Sequence, residues 1–104
     1  MIIVEKNEGT KIPYRVSNKK ITFDDDLTIN LVKRENDYPV HIDLCSDSEG
    51  NLVIGTAAGR AYVAEIDIPA RQYEEVPDES EEGSHLEPVP LDMDTVTLSL
   101  WAIE

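Results

Sequence analysis

Alternation of apolar and polar residues recurs along this chain, and it constrains the fold more than any other feature. Ile12, Tyr14 and Val16 alternate with Pro13 and Arg15, and Leu27, Ile29 and Leu31 with Thr28 and Asn30. Val40, Ile42 and Leu44 flank His41 and Asp43, while Tyr62, Ala64, Ile66 and Ile68 flank Glu65 and Asp67, with Val63 out of phase. Val96, Leu98, Leu100 and Ala102 complete the set. Successive strand side chains point to opposite faces, so each run lays one apolar row on a core. The runs are rich in β-branched and aromatic residues, as strands require.

Turn-forming residues separate these runs. Asn18, in Ser17-Asn18-Lys19-Lys20, tolerates the positive φ of a tight hairpin. Asp24-Asp25-Asp26 divides Phe23 from Leu27, Asp47-Ser48-Glu49-Gly50 joins Leu44 to Leu52, and Gly59 closes the turn before Tyr62. The spacing predicts an all-β domain over residues 1–104, an antiparallel β-sandwich or small barrel of about seven to eight strands. Residues 70–76 read as one short helical turn after Pro69 or as a strand, and the strand reading is preferred. Residues 77–90 hold three prolines around an acidic, aliphatic-poor stretch and are expected to form a flexible acidic loop before a C-terminal strand over 94–103.

Charge narrows the function classes. The chain of 104 residues carries 22 acids and nine bases, a net charge of −13, which repels a phosphate backbone and argues against general nucleic-acid binding. The charge is uneven. Residues 1–34 hold seven bases and five acids (+2), whereas residues 35–104 hold two bases and 17 acids (−15). Such asymmetry points to an acidic face that meets a basic partner or a neighbouring copy. Cys45 is the sole cysteine, which excludes an internal disulfide. The start Met1-Ile2-Ile3-Val4-Glu5-Lys6 lacks the features of a signal peptide, and no apolar run is long enough for a membrane span. The expectation is a soluble cytoplasmic protein without membrane contact.

No catalytic or metal motif stands out. Asp24-Asp25-Asp26 offers oxygen ligands, but three consecutive side chains diverge. The Asp47–Asn51 loop aligned as a calcium loop on Gly50 puts Cys45 and Thr56 at ligand positions, so it reads as a hairpin. Gly55–Arg60 lacks the ending of a phosphate loop. No cofactor is implied. His41, Asp43, Glu65 and Asp67 form the one grouping with acid–base potential, because they sit on the polar faces of two strands that can lie in one sheet. A wet sheet face with scattered charges is the preferred reading, since no nucleophile or second histidine lies nearby in sequence. Cys45 lies about 13 Å along the strand from His41, too far for a nucleophile–base pair.

The leading expectation is therefore a non-enzymatic interaction or assembly protein that binds a protein partner or itself. Its candidate contact residues are Trp101 and Ile103, whose parity places them opposite Leu98 and Leu100, and Glu79, Glu81 and Glu82 of the acidic segment. Small acidic β-domains occur among bacterial and phage structural accessory proteins, an analogy of fold class alone. The alternatives are a small-ligand or carbohydrate-binding module using Tyr62, Tyr73 or Trp101 as a stacking platform, and a hydrolase-like enzyme built on His41.

Overall fold

The computed structural model describes residues 1–79 and 83–103. It is all-β, as the alternation predicts. Ten strands run in the order β1 (Ile2–Glu5), β2 (Tyr14–Ser17), β3 (Lys20–Phe23), β4 (Leu27–Asn30), β5 (Val40–Ser46), β6 (Leu52–Ile54), β7 (Ala61–Ile68), β8 (Tyr73–Pro77), β9 (Ser84–Pro88) and β10 (Thr97–Leu100). A single helical turn, α1 (Leu31–Arg34), follows β4, and a 3₁₀ turn (Met93–Thr95) precedes β10. The strands form a five-stranded sheet ordered β1-β10-β7-β5-β6, a three-stranded sheet β2-β3-β4 and a two-stranded ribbon β8-β9. Among the described residues no sheet closes into a barrel. None of the helices there is long and apolar enough to cross a membrane.

Local chemistry explains the meander of the three-stranded sheet. Asn18 and Lys19 both take positive φ, 50° and 59°, and Asp24 and Asp25 repeat this at 54° and 51°. Two consecutive left-handed residues make the hairpin turn whose twist matches that of the flanking strands. The turns set the register Val16↔Ile21↔Ile29, and Ile21, Phe23 and Ile29 face inward together. The alternation continues to Leu31, but the strand stops at Asn30. Its side chain accepts a hydrogen bond from Lys33 N at 3.3 Å and starts α1, which delivers Leu31 to the core by a helical route.

Both larger sheets pack on one core. Ile21, Phe23, Ile29 and Leu31 from one side meet Ile42, Leu44, Ala64, Ile66, Ile68, Leu98 and Leu100 from the other. This is the expected sandwich, with four corrections. Among the described residues the strand count is ten, not seven or eight. Strand β1 pairs with β10 in parallel, so the sheet is not wholly antiparallel. The last strand spans Thr97–Leu100 instead of 94–103, because Asp92 caps the 3₁₀ turn through its bond to Asp94 N at 3.0 Å. Finally, residues 84–88 of the expected acidic loop form strand β9, paired with β8 from Tyr73↔Pro88 to Pro77↔Ser84. The preferred strand reading near 70–76 holds, and β8 takes the place of a helical turn there.

The β8–β9 ribbon pairs with neither sheet and forms an arm. The molecule measures 60 × 24 × 21 Å, with a radius of gyration of 17.1 Å. A compact chain of this length has a radius near 13 Å, so the mass is drawn out along one axis. The arm's base is fixed. Arg71 N donates to Asn36 O at 2.8 Å, its guanidinium reaches Glu35 O at 3.1 Å and Asp37 Oδ1 at 3.2 Å, and the Tyr73 hydroxyl donates to Asp37.

Candidate functional site

Two features outside the core carry chemistry: the outer face of the five-stranded sheet and the arm. On the outer face, β5 and β7 are antiparallel neighbours with the register His41↔Asp67 and Asp43↔Glu65. Because the inward row is Ile42, Leu44, Ala64 and Ile66, all four polar residues project from the opposite side. The convergence expected from the alternation is present. His41 Nδ1 lies 2.6 Å from Asp67 Oδ1, and its Nε2 lies 2.8 Å from Asp43 Oδ1 and 3.4 Å from Glu65 Oε1.

Both ring nitrogens thus face carboxylate oxygens, which only the doubly protonated ring satisfies as a donor twice over. The hydrogen bond to Asp67 is the main cause that raises the His41 pKa above its ordinary 6.5, against an opposing desolvation and with further help from Asp43. His41 Nε2, Asp43 and Glu65 also place three ligand atoms within 4.8 Å of one another, the set on this face that could hold a divalent cation. A proton on Nε2 competes with that use.

A β-bulge shapes the rest of this face. The pairing of β5 with β7 slips between Leu44 and Cys45, so that Cys45 pairs with Tyr62 and Val63 is skipped. Parity then reverses. Val63 turns inward and is buried, while Tyr62 moves to the outer face and is 41% exposed. There it stacks on Trp101, with ring centroids 5.8 Å apart and planes at 28°. The Trp101 indole donates from Nε1 to Glu65 Oε2 at 2.8 Å. The large apolar group expected on the wet face is therefore half-covered from within the chain. Ile103 lies elsewhere, beside a cleft of about 340 Å³ between Tyr62, Ser46 and the Asp24 and Asp26 turn. Cys45 is buried, and burial pushes its thiol pKa up, the reverse of an activated nucleophile. Gly59 is needed against it: a Cβ there would stand 2.6 Å from the Cys45 Cβ.

The arm repeats the histidine motif. His85 pairs through Nδ1 with Asp78 and through Nε2 with Glu87 Oε1 at 2.8 Å, and both bonds raise its pKa, Glu87 first. Alternation across the ribbon gives it two distinct faces. Tyr73, Glu75, Pro77, Leu86 and Pro88 share one, and Glu74, Val76, His85 and Glu87 share the other. Glu74 stands directly opposite Glu87, a like-charge pair that destabilises a ribbon. Leu86 is 68% exposed. Glu79 is exposed near the tip, whereas Glu81 and Glu82 lie outside the described residues. Tyr73 belongs to the arm base and takes no part in the Tyr62–Trp101 stack.

Sequence reasoning missed two elements of this picture. Tyr62 was placed in the core row, although the out-of-phase Val63 is the signal of the bulge. His85 falls in the segment expected to be a flexible acidic loop, although it and Glu87 repeat the spacing of His41 and Asp43. No protein-family model, curated protein or solved structure matches this chain.

Proposed function

We propose that the protein is a non-enzymatic interaction module whose binding element is the β8–β9 arm. The observation that carries this reading is a two-stranded ribbon anchored at its base and paired with neither sheet. An isolated ribbon is marginal in water and gains stability from a surface that covers it. Its acids make a basic protein surface the natural partner: Glu74 and Glu87 face each other, and an external cation relieves the pair. The outer sheet face supports the non-enzymatic side. Both His41 ring nitrogens face carboxylates, of Asp67 on one side and of Asp43 and Glu65 on the other. This arrangement favours the protonated ring and suits a structural clasp better than a general base.

A lysine- and arginine-rich peptide, titrated into the full chain and followed by amide chemical shifts, tests this. Shifts should centre on β8 and β9. The triple variant E74Q/E75Q/E87Q should lose them, while D24N/D25N/D26N, which removes the same number of charges from the body, keeps them. Equal loss in both variants would reduce the effect to net charge and defeat the reading.

A second reading rests on the Tyr62–Trp101 stack, which lies beside Glu65 and borders the cleft. Stacked aromatics with adjacent carboxylates suit a sugar ring. Quenching of the Trp101 fluorescence by soluble oligosaccharides would favour it, and silence across neutral and acidic glycans would remove it.

A further inference from the structure

The β2–β3 turn brings Lys19 and Lys20 beside α1, which carries Lys33 and Arg34. Leu31 N donates to Lys19 O at 3.1 Å, which seats the β2–β3 turn against the start of α1. Lys20, Lys33 and Arg34 are exposed and Lys19 is half-buried, and among the described residues none of the four makes an ion pair. Exposed Val32 stands among them on α1. This is a cationic surface with an apolar centre, in a chain whose net charge is −13.

The arm carries the complement. Glu75 shares a face with exposed Leu86, and Glu74 and Glu87 line the opposite face. Asp78 and Glu79 follow near the tip, and Arg71 ties the arm's base to Glu35 and Asp37, just after α1. Each copy therefore holds a basic surface near the foot of an acidic arm. Among the described residues no arm carboxylate pairs with those four cations in the same chain.

We propose that the arm's partner is a second copy of this chain: the acidic β8–β9 arm of each copy docks on the Lys20, Lys33 and Arg34 surface of the other. This rests on the reading of the arm as an interaction element and adds the identity of what it binds. A reciprocal exchange follows, since each copy carries both the acidic arm and the basic surface that it fits. It also closes the assembly with two-fold symmetry, whereas a one-way contact would propagate.

The area sets the strength. A five-residue ribbon is about 17 Å long and about 10 Å wide, so each arm covers roughly 200 Å² on each partner. Two arms bury roughly 800 Å² in all, below the 1,200 Å² of a standard stable interface. The dimer is accordingly weak, and charge attraction makes it salt-sensitive.

Sedimentation velocity of the full chain, from about 10 µM to about 1 mM, should show a monomer–dimer equilibrium at about 20 mM salt that weakens at least tenfold near 500 mM. The arm-reversed variant E74K/E75K/E87K and the surface-reversed variant K20E/K33E/R34E should each stay monomeric. An equimolar mixture should form a heterodimer, because each reversed element meets its opposite. A wild-type chain that remains monomeric at every concentration overturns the proposal. A mixture that stays monomeric while the wild type dimerises overturns it too, placing the contact elsewhere, such as the exposed edge of β1. If the basic peptide still binds the arm of a monomeric wild type, the interaction reading stands and the assignment of the partner falls.

Discussion

Replacing His41 with glutamine should destabilise the fold in mild acid and leave it nearly unchanged in mild alkali. In the folded chain the ring holds Asp67 at 2.6 Å and Asp43 at 2.8 Å, and its pKa is raised above 6.5. In the unfolded chain a histidine titrates near 6.5, so the folded state binds the proton more tightly. The stabilisation is then complete below about pH 6.5 and is lost as the pH rises through the higher folded value. Two fully buried charge-assisted bonds would contribute about 1.5–3 kcal/mol each. The His41 side chain is 45% exposed, however, and exposed ion pairs contribute about 0.2–1 kcal/mol. The screened figure wins, giving a total of about 1 kcal/mol in mild acid. For a domain of this size that corresponds to roughly 4–8 °C in melting temperature.

Thermal melts of the wild type and H41Q at about pH 6 and about pH 9 measure it, with His85 present in both chains and so cancelling from the difference. Asp67→Asn in a double-mutant cycle should show coupling in acid and none in alkali. A difference between wild type and H41Q that is constant with pH, or grows in alkali, refutes the clasp.

Phe23→Ala should cost about 3–5 kcal/mol by urea denaturation, because the ring is fully buried where the two sheets meet. Trp101→Phe should cost about 1.5 kcal/mol, since the Glu65 carboxylate, 18% exposed, loses its indole donor. In a Glu65→Gln background the same change should cost less. Lys19→Gly should raise stability by about 0.5 kcal/mol, because Lys19 holds φ of 59° in a turn that favours asparagine followed by glycine.

The body of the fold was legible where alternation was uninterrupted. Val40–Leu44 and Val96–Leu100 show the inward rows directly, Asn18 takes the positive φ expected of it, and Asp24–Asp26 mark a turn. The facing of His41, Asp43, Glu65 and Asp67 followed from parity alone. Legibility ended where parity is reset by something other than the local pattern. The bulge at Val63 reverses which side Tyr62 occupies, and that slip is decided by pairing with β5 across the sheet. β9 was illegible for a different reason: Ser84, His85, Glu87 and Pro88 have weak strand propensity, and the partnership with β8 supplies their hydrogen bonds. The basic surface at α1 was also hidden, because Lys20 and Arg34 are neighbours only after Leu31 bonds back to the β2–β3 turn.

The position of β10 bears on how the chain acquires this structure. The last strand in chain order lies between β1 and β7, and its parallel pairing with β1 joins residues 2–5 to residues 97–100. Within its sheet β1 has no partner until β10 has been made. Ile2, Ile3 and Val4 stay unpaired while β2 to β9 are made. Pairings this distant in sequence fold slowly, on the millisecond-to-second scale, and closure of this sheet waits on its most distant pair.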